Sequence, residues 1–256
     1  MSDHAGASHF RSHVRSGQPL VGTWLSFTDP DIAELLAGSG VDFLAVDGEH
    51  GVVDVGDLGP LLAAIHSHGI PALFRVAENE QARIQHALDS GASGVIVPRI
   101  RSAADAARAA DATRYPPAGT RGIGPRRAAG YGRSAGAYLA GANDVVTCCI
   151  QIETREAAAD LDAILAVPGV DSLLIGPNDL SGAFGVPGQH DHPEVAATIE
   201  SVRARANAYG TPVGIHVPTV EVARQRIGEG FDFVTVGVDF GLFSAAVDAM
   251  VTAVRA

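Results

Sequence analysis

The side chains of this sequence that could do chemistry stand at the ends of separate apolar, β-rich runs. The runs FLAVDGEH, PALFRV, TCCIQIE and SLLIGPNDL carry, at or near their ends, Glu49, His50, Arg75, Glu153 and Asp179. Polar groups at the carboxyl ends of different strands converge when the strands are parallel and closed into a barrel, because the βα loops then form a single face. The pattern therefore predicts an enzyme with a site about the size of a metal centre.

All 18 basic side chains are arginine, so the chain contains no lysine. A barrel enzyme that makes or breaks a carbon–carbon bond beside a ketone can use a lysine Schiff base or a divalent cation as its electron sink. The N-terminal amine could also form an imine, but Met1 opens a polar segment that we expect to be mobile. The composition therefore favours a metal-dependent mechanism.

Glu153 and Asp179 are the predicted metal ligands, because they end neighbouring strands and supply the oxygen donors that a hard cation prefers. Mg²⁺ or Mn²⁺ is expected, with Co²⁺ and Zn²⁺ as further possibilities. Two protein ligands leave room for a chelating 2-oxo acid. The structural alternative is a pair of acids held in salt bridges at the top of the barrel.

Arg75 and His50 are the predicted catalytic side chains. A buried guanidinium needs a negative partner, which here would be an enolate oxygen or, alternatively, a structural ion pair. His50 could act as a general base, oriented by a nearby carboxylate such as Asp47. His216, at the end of the seventh strand, is a further candidate, and Trp24 could line the substrate pocket or belong to the core.

The GPND turn predicts a place for a substrate carboxylate. Gly176 permits close approach, Pro177 shapes the turn, and the backbone N–H groups of Asn178 and Asp179 point out of a strand-to-helix junction. A Gly-Pro turn alone is a common feature and a weak signal.

The elements that must position these groups alternate eight times between strand-like and helical patterns, which predicts a single-domain (β/α)₈ barrel. An open doubly wound sheet is the alternative, but the chain lacks a glycine-rich dinucleotide fingerprint. The predicted strands are 21–26, 43–47, 72–76, 94–100, 146–153, 172–175, 212–217 and 233–238. The predicted helices are 32–38, 58–68, 81–90, 103–113, 157–166, 193–209, 220–228 and 242–254.

Length and charge narrow the class of protein. A chain of 256 residues suits one barrel, with residues 1–20 as a polar N-terminal segment and cap and residues 21–256 as the barrel domain. The net charge of −11 and the scattered arginines disfavour nucleic acid as a partner. Adjacent Cys148 and Cys149 cannot easily form a disulfide on a strand, and no signal pattern or membrane-length apolar run is present, so we expect a soluble cytoplasmic protein.

The segment 115–143 is the one long connection, rich in glycine, proline and arginine. It follows the fourth helix, which places it opposite the catalytic face unless it folds back over the rim. Long loops in compact domains are often functional, so a substrate-covering role and a structural or subunit-contact role both stay open.

Six motifs in order resemble the HpcH/HpaI aldolase family over about residues 22–241. They are D-G-E-H (47–50), F-R-V around Arg75, L-D-S-G-A around Asp89, A-T-R-Y-P-P-A-G-T-R-G (112–122), Q-I-E-T-R-E (151–156) and G-P-N-D-L-S (176–181). The resemblance implies a class II, metal-dependent pyruvate aldolase on a (β/α)₈ barrel. It also implies a homohexamer of two trimers, with the C-terminal helix exchanged between subunits.

The resemblance also assigns roles. Glu153 and Asp179 would bind the cation that chelates pyruvate, and Arg75 would stabilise the enolate. His50 would handle protons with help from Asp89 of a neighbouring subunit, and Gln151 would lie beside the substrate. Nothing in the helical context of Asp89 itself marks that residue as catalytic.

The function expected from the residues and the resemblance is reversible cleavage of a 4-hydroxy-2-oxo acid to pyruvate and an aldehyde. The alternatives are an oxaloacetate-type decarboxylase or a CoA-thioester lyase, which also pass through an enolate. The Arg126/Arg127 pair keeps the second of these open. A non-catalytic binding protein is a third class, although every expected catalytic position holds a competent residue.

Overall fold

The sheet of the computed structural model is a closed barrel of eight parallel strands, which confirms the predicted (β/α)₈ fold. The structure describes residues 9–124 and 126–256. Each strand pairs with the next, and the last pairs with the first. The strands are β1 (Leu20–Leu25), β2 (Phe43–Asp47), β3 (Ala72–Arg75), β4 (Gly94–Val97), β5 (Thr147–Ile152), β6 (Ser172–Ile175), β7 (Val213–Val217) and β8 (Phe233–Val238).

Helices cover the outside of the barrel, and several begin at residues whose side-chain oxygen accepts a first-turn N–H, as N-caps do. These caps are Asp29, Ser102, Thr154 and Thr219. The helices are α1 (Phe10–Val14), α2 (Pro30–Ala37), α3 (Leu58–Ser67), α4 (Gln81–Asp89), α5 (Ala103–Thr113), α6 (Ala135–Val145), α7 (Arg155–Ala159), α8 (Leu161–Leu165), α9 (Pro177–Ala183), α10 (Pro193–Tyr209), α11 (Val220–Gly228) and α12 (Asp239–Arg255).

Most predicted boundaries shift by one to three residues, and the helices α1 and α9 have no counterpart in the prediction. Strand β4 ends at Val97 rather than at residue 100, because Pro98 has no N–H to continue the ladder. The helix predicted over 157–166 is two helices that meet at Asp160, where φ is −89° and ψ is 14°. The segment 115–143 is not all loop, since it contains a 3₁₀ turn at Arg127–Gly132 and most of α6.

Part of that segment packs at the face opposite the carboxyl ends of the strands, whereas Thr120 contacts Gln81 at the start of α4. Arg11 Nη1 of α1 donates to the carbonyl of Asn143 at 3.0 Å, and Arg127 Nη1 donates to the carbonyl of Ser90 at 3.3 Å. Arg11 and Ser90 lie at the amino-terminal face of the barrel. Arg11 belongs to α1, which leads into the start of β1, and Ser90 ends α4, the helix that leads into the start of β4. Within one chain, the described part of the segment therefore does not cover the catalytic face.

Aromatic rings close the amino-terminal end of the barrel. Phe10 of α1 contacts Phe43 and Phe233 edge-on, with ring centroids 5.0 and 5.2 Å apart. These rings fit because the strands beside them carry glycine. A Cβ at Gly22 would lie 2.6 Å from the ring of Phe43, and one at Gly214 would lie 2.2 Å from the ring of Phe233.

Cys148 and Cys149 are buried and free, as the alternation of side chains along a strand predicts. No helix in the described parts of the chain is both long enough and apolar enough to span a bilayer. Helix α12 exposes apolar side chains along much of its length. They are Phe240, Leu242, Phe243, Val247, Met250 and Val254.

Candidate active site

A cavity of about 570 Å³ opens at the carboxyl ends of the strands. Its volume is typical of a small-molecule site. The structure places most of the predicted site residues in its wall. Those residues are Trp24, Asp47, His50, Arg75, Gln151, Gly176, Pro177, Asn178, Asp179 and His216.

Asp47 and Arg75 form the centre of one wall. They are directly opposite each other in the β2–β3 register, and Arg75 donates from Nε and Nη2 to the two carboxylate oxygens of Asp47 at 2.9 and 2.8 Å. Burial alone would raise the pKa of Asp47, but the hydrogen bonds and positive charge of Arg75, together with backbone N–H donors at Glu49 and His50, lower it. The guanidinium also lies 4.3 Å from the ring centroid of Trp24. Arg75 is therefore held rigidly.

Glu49 is a second acid near Arg75, and its side chain is buried. Its Oε1 lies 3.2 Å from Arg99 Nε. Its Oε2 makes no hydrogen bond among the described residues, although Arg75 Nη1 lies 3.3 Å away and His50 Nε2 lies 3.8 Å away. Burial raises the pKa of Glu49, opposed by the charge of Arg75 and reinforced by the charge of Glu153. The carboxylate therefore retains an unused acceptor close to the site.

Glu153 follows β5 and is held from two sides. Arg99, whose φ of 57° is left-handed, donates its backbone N–H to Oε1 at 2.6 Å, and Gln151 donates its side-chain amide to Oε2. A Cβ at Gly176 would lie 3.1 Å from Oε2. Burial raises the pKa of Glu153, and the negative charge of Asp179 raises it further. Glu153 is thus fixed in place and lies within electrostatic range of Asp179.

The donor set around Glu153 and Asp179 consists of hard oxygen atoms. Asp179 is exposed in the first turn of α9 and lines the cavity. Within residues 9–124 and 126–256 there is no group of three or more histidine, cysteine or acidic side chains arranged to hold a metal ion. The chain therefore offers two carboxylates, and a cation bound there would need further ligands from substrate and water.

His216 of β7 and Trp24 of β1 also line the cavity. The Trp24 indole donates to Thr235 Oγ1 at 3.0 Å and lies 3.2 Å from His216 Nδ1. Burial lowers the pKa of His216 to about 4, opposed by the Thr235 carbonyl and assisted by the positive charge of Arg75. The imidazole is therefore neutral at pH 7.

Asp89 is the predicted catalytic residue that the structure does not bring to this cavity within one chain. It ends α4 at the amino-terminal face and accepts a hydrogen bond from Arg121 Nη2 at 2.7 Å. Arg121 is completely buried and lies between the rings of Tyr115 and Tyr138, with its Cζ at 4.5 and 5.6 Å from their centroids.

Sequence reasoning missed two groups that hold residues of the cavity wall. Asp239, directly after β8, accepts hydrogen bonds from the backbone N–H groups of Ser26, Phe27 and Phe240 at 2.6, 2.9 and 2.8 Å. It shows the same strand-end pattern as the other acids and could have been found by it. His190 has its Nε2 2.7 Å from the side-chain oxygen of Asn178, a contact that no local sequence pattern indicates.

The fold and the site together define a barrel enzyme with acids and a fixed arginine at the carboxyl face, the arrangement of a carbon–carbon lyase. The model of the HpcH/HpaI aldolase/citrate lyase family matches residues 20–246, and the chain belongs to this family. The predicted resemblance is confirmed.

Named relatives are similar over most of the chain. The 4-hydroxy-2-oxo-heptane-1,7-dioate aldolase of Salmonella dublin is 40% identical, covering 94% of this chain and 92% of its own. The 2-keto-3-deoxy-L-rhamnonate aldolase of Salmonella gallinarum is also 40% identical, with 94% and 90% covered. This chain is accordingly an aldolase and hence a carbon–carbon lyase.

Solved structures agree with this fold. A family protein from Burkholderia cenocepacia J2315 has a TM-score of 0.92 at 34% identity and covers 96% of this chain and 98% of its own. A more distant structure, the citrate lyase beta subunit from M. tuberculosis complexed with oxaloacetate and magnesium, shares the fold with a TM-score of 0.58 at 17% identity, with 90% and 95% covered.

Proposed function

We propose that this protein is a class II pyruvate aldolase that reversibly cleaves a 4-hydroxy-2-oxo acid to pyruvate and an aldehyde. The observation that carries the proposal is that Asp179 lines the same cavity as the fixed guanidinium of Arg75, while the buried Glu153 lies directly behind the cavity wall, beside Gly176 and within electrostatic range of Asp179. A chain without lysine has no side-chain amine for the Schiff-base route. The named relatives are aldolases of related 2-oxo acids.

A divalent cation, Mg²⁺ or Mn²⁺ first, fits the donor set. Glu153 and Asp179 would hold it, because both offer hard oxygen atoms and Gly176 leaves the space beside Glu153 Oε2 clear of a side chain. When bound, the cation supplies Lewis-acid polarisation of the ketone. The magnesium in the distant M. tuberculosis structure supports the same class of ion.

Arg75 stabilises the negative charge that develops on the keto oxygen when the C3–C4 bond breaks. Its bidentate pairing with Asp47 sets its orientation before substrate arrives, so little reorganisation is needed during the reaction. The role of Asp47 is thus to position Arg75, and its carboxylate also accepts the backbone N–H of His50.

His50 moves the proton of the C4 hydroxyl. Its side chain stands at the rim, about half exposed, where it can exchange protons with solvent and with substrate. Cleavage then balances: the hydroxyl loses its proton, the C3–C4 electron pair moves into the pyruvate enolate, and the enolate is reprotonated at C3.

Gln151 and the turn that opens α9 bind the pyruvyl half. The Gln151 amide oxygen is buried without a hydrogen-bond partner among the described residues, so it can accept one from substrate. After Gly176 and Pro177, the N–H groups of Asn178 and Asp179 lie in the first turn of the helix beside the cavity. These donors can receive a carboxylate.

Trp24 and His216 line the substrate pocket, with His216 neutral. Asp89 acts on the site of a neighbouring subunit in a homohexamer of two trimers. Apolar side chains that α12 exposes beyond Phe240, among them Phe243, Met250 and Val254, support a subunit contact through that helix. The free, buried cysteines suit a reducing, cytoplasmic environment.

The test is exchange of solvent deuterium into the methyl group of pyruvate, followed by NMR. Chelator-treated enzyme should not exchange, and added Mg²⁺ or Mn²⁺ should restore exchange. Glu153→Gln should abolish it. Glu156→Gln, an exposed acid three residues away, is the matched control and should exchange like the wild type.

Product formation separates the aldolase from its alternatives. Pyruvate and an aldehyde should combine to a 4-hydroxy-2-oxo acid, detected by mass spectrometry. Oxaloacetate turnover faster than any aldehyde-dependent turnover would point to a decarboxylase instead. Metal binding without any exchange would contradict pyruvate as the donor.

A further inference from the structure

The cavity wall made by the loops after β8, β1 and β2 is apolar. Phe240, Phe27 and Val52 line it, and they are 54%, 40% and 78% exposed to solvent. Large apolar side chains that are exposed together around a pocket mark a binding surface more often than a random patch. The acids Glu153 and Asp179 belong to β5 and β6, on the other side of the barrel.

A buried carboxylate holds the two aromatic residues of this wall in place. Asp239 is 4% exposed, and its two oxygens accept the backbone N–H groups of Phe27 and Phe240. It also accepts from Ser26, through both the backbone N–H and the hydroxyl, at 2.6 Å each. One side chain therefore ties the loop after β1 to the start of α12 and fixes the position of both rings.

The part of the cavity that the described residues of one chain form offers no free strong cation. Among the described residues that line it, Arg75 is the one arginine, and it is already paired with Asp47 and lies 3.3 Å from Glu49. Asp47 and Asp179 add negative charge to the same cavity. An aldehyde that ended in a carboxylate would lose hydration in this cavity without gaining a strong ionic partner.

We propose that the aldehyde half of the substrate is uncharged and carries an apolar or aromatic substituent, which packs against Phe27, Val52 and Phe240. The inference rests on the proposed function and specifies its acceptor. It separates this chain from a relative named for a heptane-1,7-dioate, whose substrate ends in a second carboxylate. The covalent step is the addition itself: pyruvate loses a C3 proton, C3 bonds the aldehyde carbon, and the aldehyde oxygen takes a proton.

The experiment compares two aldehydes of similar shape with pyruvate as the donor. Succinic semialdehyde and 4-methylpentanal differ in that an isopropyl group replaces the carboxylate. We expect kcat/KM for 4-methylpentanal to exceed that for the semialdehyde by at least about tenfold. Phe240→Ala should lower kcat/KM for 4-methylpentanal by about tenfold.

A cation placed in the wall should reverse the preference. Val52→Arg, in an exposed loop, should shift the ratio of the two kcat/KM values toward the semialdehyde by about tenfold or more. Leu35→Arg is the matched control, because Leu35 is similarly exposed on α2 and does not line this cavity. It should leave the ratio unchanged.

The outcomes separate this inference from the proposed function. Absence of pyruvate exchange in the wild-type enzyme would overturn both. Exchange together with a preference for succinic semialdehyde, or a ratio unaffected by Val52→Arg and Phe240→Ala, would overturn the apolar acceptor site alone.

Discussion

Gly176→Ala tests whether the site depends on the space beside Glu153. The φ of Gly176 is −99°, which alanine adopts freely, so the substitution introduces no backbone strain. The new Cβ would lie 3.1 Å from Glu153 Oε2, 3.3 Å from Glu153 Cβ and 3.4 Å from Gln151 Nε2. Because Gln151 and the Arg99 N–H hold the carboxylate from other directions, Glu153 can move only by breaking a hydrogen bond.

A shift of a few tenths of an ångström is large for a metal ligand, since the bond lengths to oxygen vary within about 0.2 Å. Displacing a ligand through its supporting contacts costs about 10–100-fold in metal affinity. This corresponds to about 1.4–2.7 kcal/mol of binding free energy. We expect that loss in Mn²⁺ titrations by calorimetry, with a matching fall in pyruvate exchange at subsaturating metal.

Gly182→Ala is the matched control. Gly182 lies in the same short helix, and a Cβ there would meet no atom within 4 Å. It should leave Mn²⁺ affinity unchanged and stabilise the fold by about 0.5–1 kcal/mol. The reasoning is refuted if Gly176→Ala binds Mn²⁺ as tightly as the wild type while Glu153→Gln does not.

Three further changes probe the rest of the site. Arg75→Lys keeps the charge but loses the bidentate pairing with Asp47, so the rate of pyruvate exchange should fall by about 10²–10³-fold. The circular dichroism spectrum should not change. A smaller loss of exchange would mean that the orientation of the cation matters little. The pKa of His216 is about 4 in the folded protein and near 6.5 in the unfolded chain, so between these values the unfolded state binds one proton more. The free energy of unfolding is therefore higher by roughly 3 kcal/mol above pH 6.5, and this contribution is lost as the pH falls toward 4. Urea unfolding at pH 4.5 and pH 7 should show a smaller difference for His216→Gln than for the wild type, and equal differences would contradict burial of the neutral imidazole. Asp239→Ala leaves three backbone N–H groups without their acceptor and should lower the free energy of unfolding by about 3 kcal/mol, whereas a loss below about 1 kcal/mol in urea titrations would show that water replaces the carboxylate.

The barrel was predictable because its strands are buried on both faces and therefore appear as continuous apolar runs. The acids after β2, β5 and β8 are visible in the sequence for the same reason, since a charged residue interrupts each of these runs near the end of the strand. Helix α6 was not predictable, because the segment AGAYLAGAN has small residues and glycines in place of a clear apolar stripe.

The sequence could not show which side chains of different strands and loops come into contact. The pairing of Asp47 with Arg75 depends on the β2–β3 register, and the wall formed by Phe27 and Phe240 depends on closure of β8 against β1. An exposed phenylalanine has no local pattern that separates a pocket wall from a scattered surface residue. Such contacts emerge only when distant segments are brought together.

Different loops of the barrel build the acidic side and the apolar wall of the cavity. Glu153 and Asp179 lie at β5 and β6, whereas Phe27, Val52 and Phe240 follow β1, β2 and β8, so no loop contributes to both sets. Changes in the apolar wall can therefore alter the aldehyde without disturbing the carboxylates. The loop after β2 carries Val52 shortly after Asp47 and His50. Substitutions in that loop should therefore affect both halves of the reaction more often than substitutions at the start of α12.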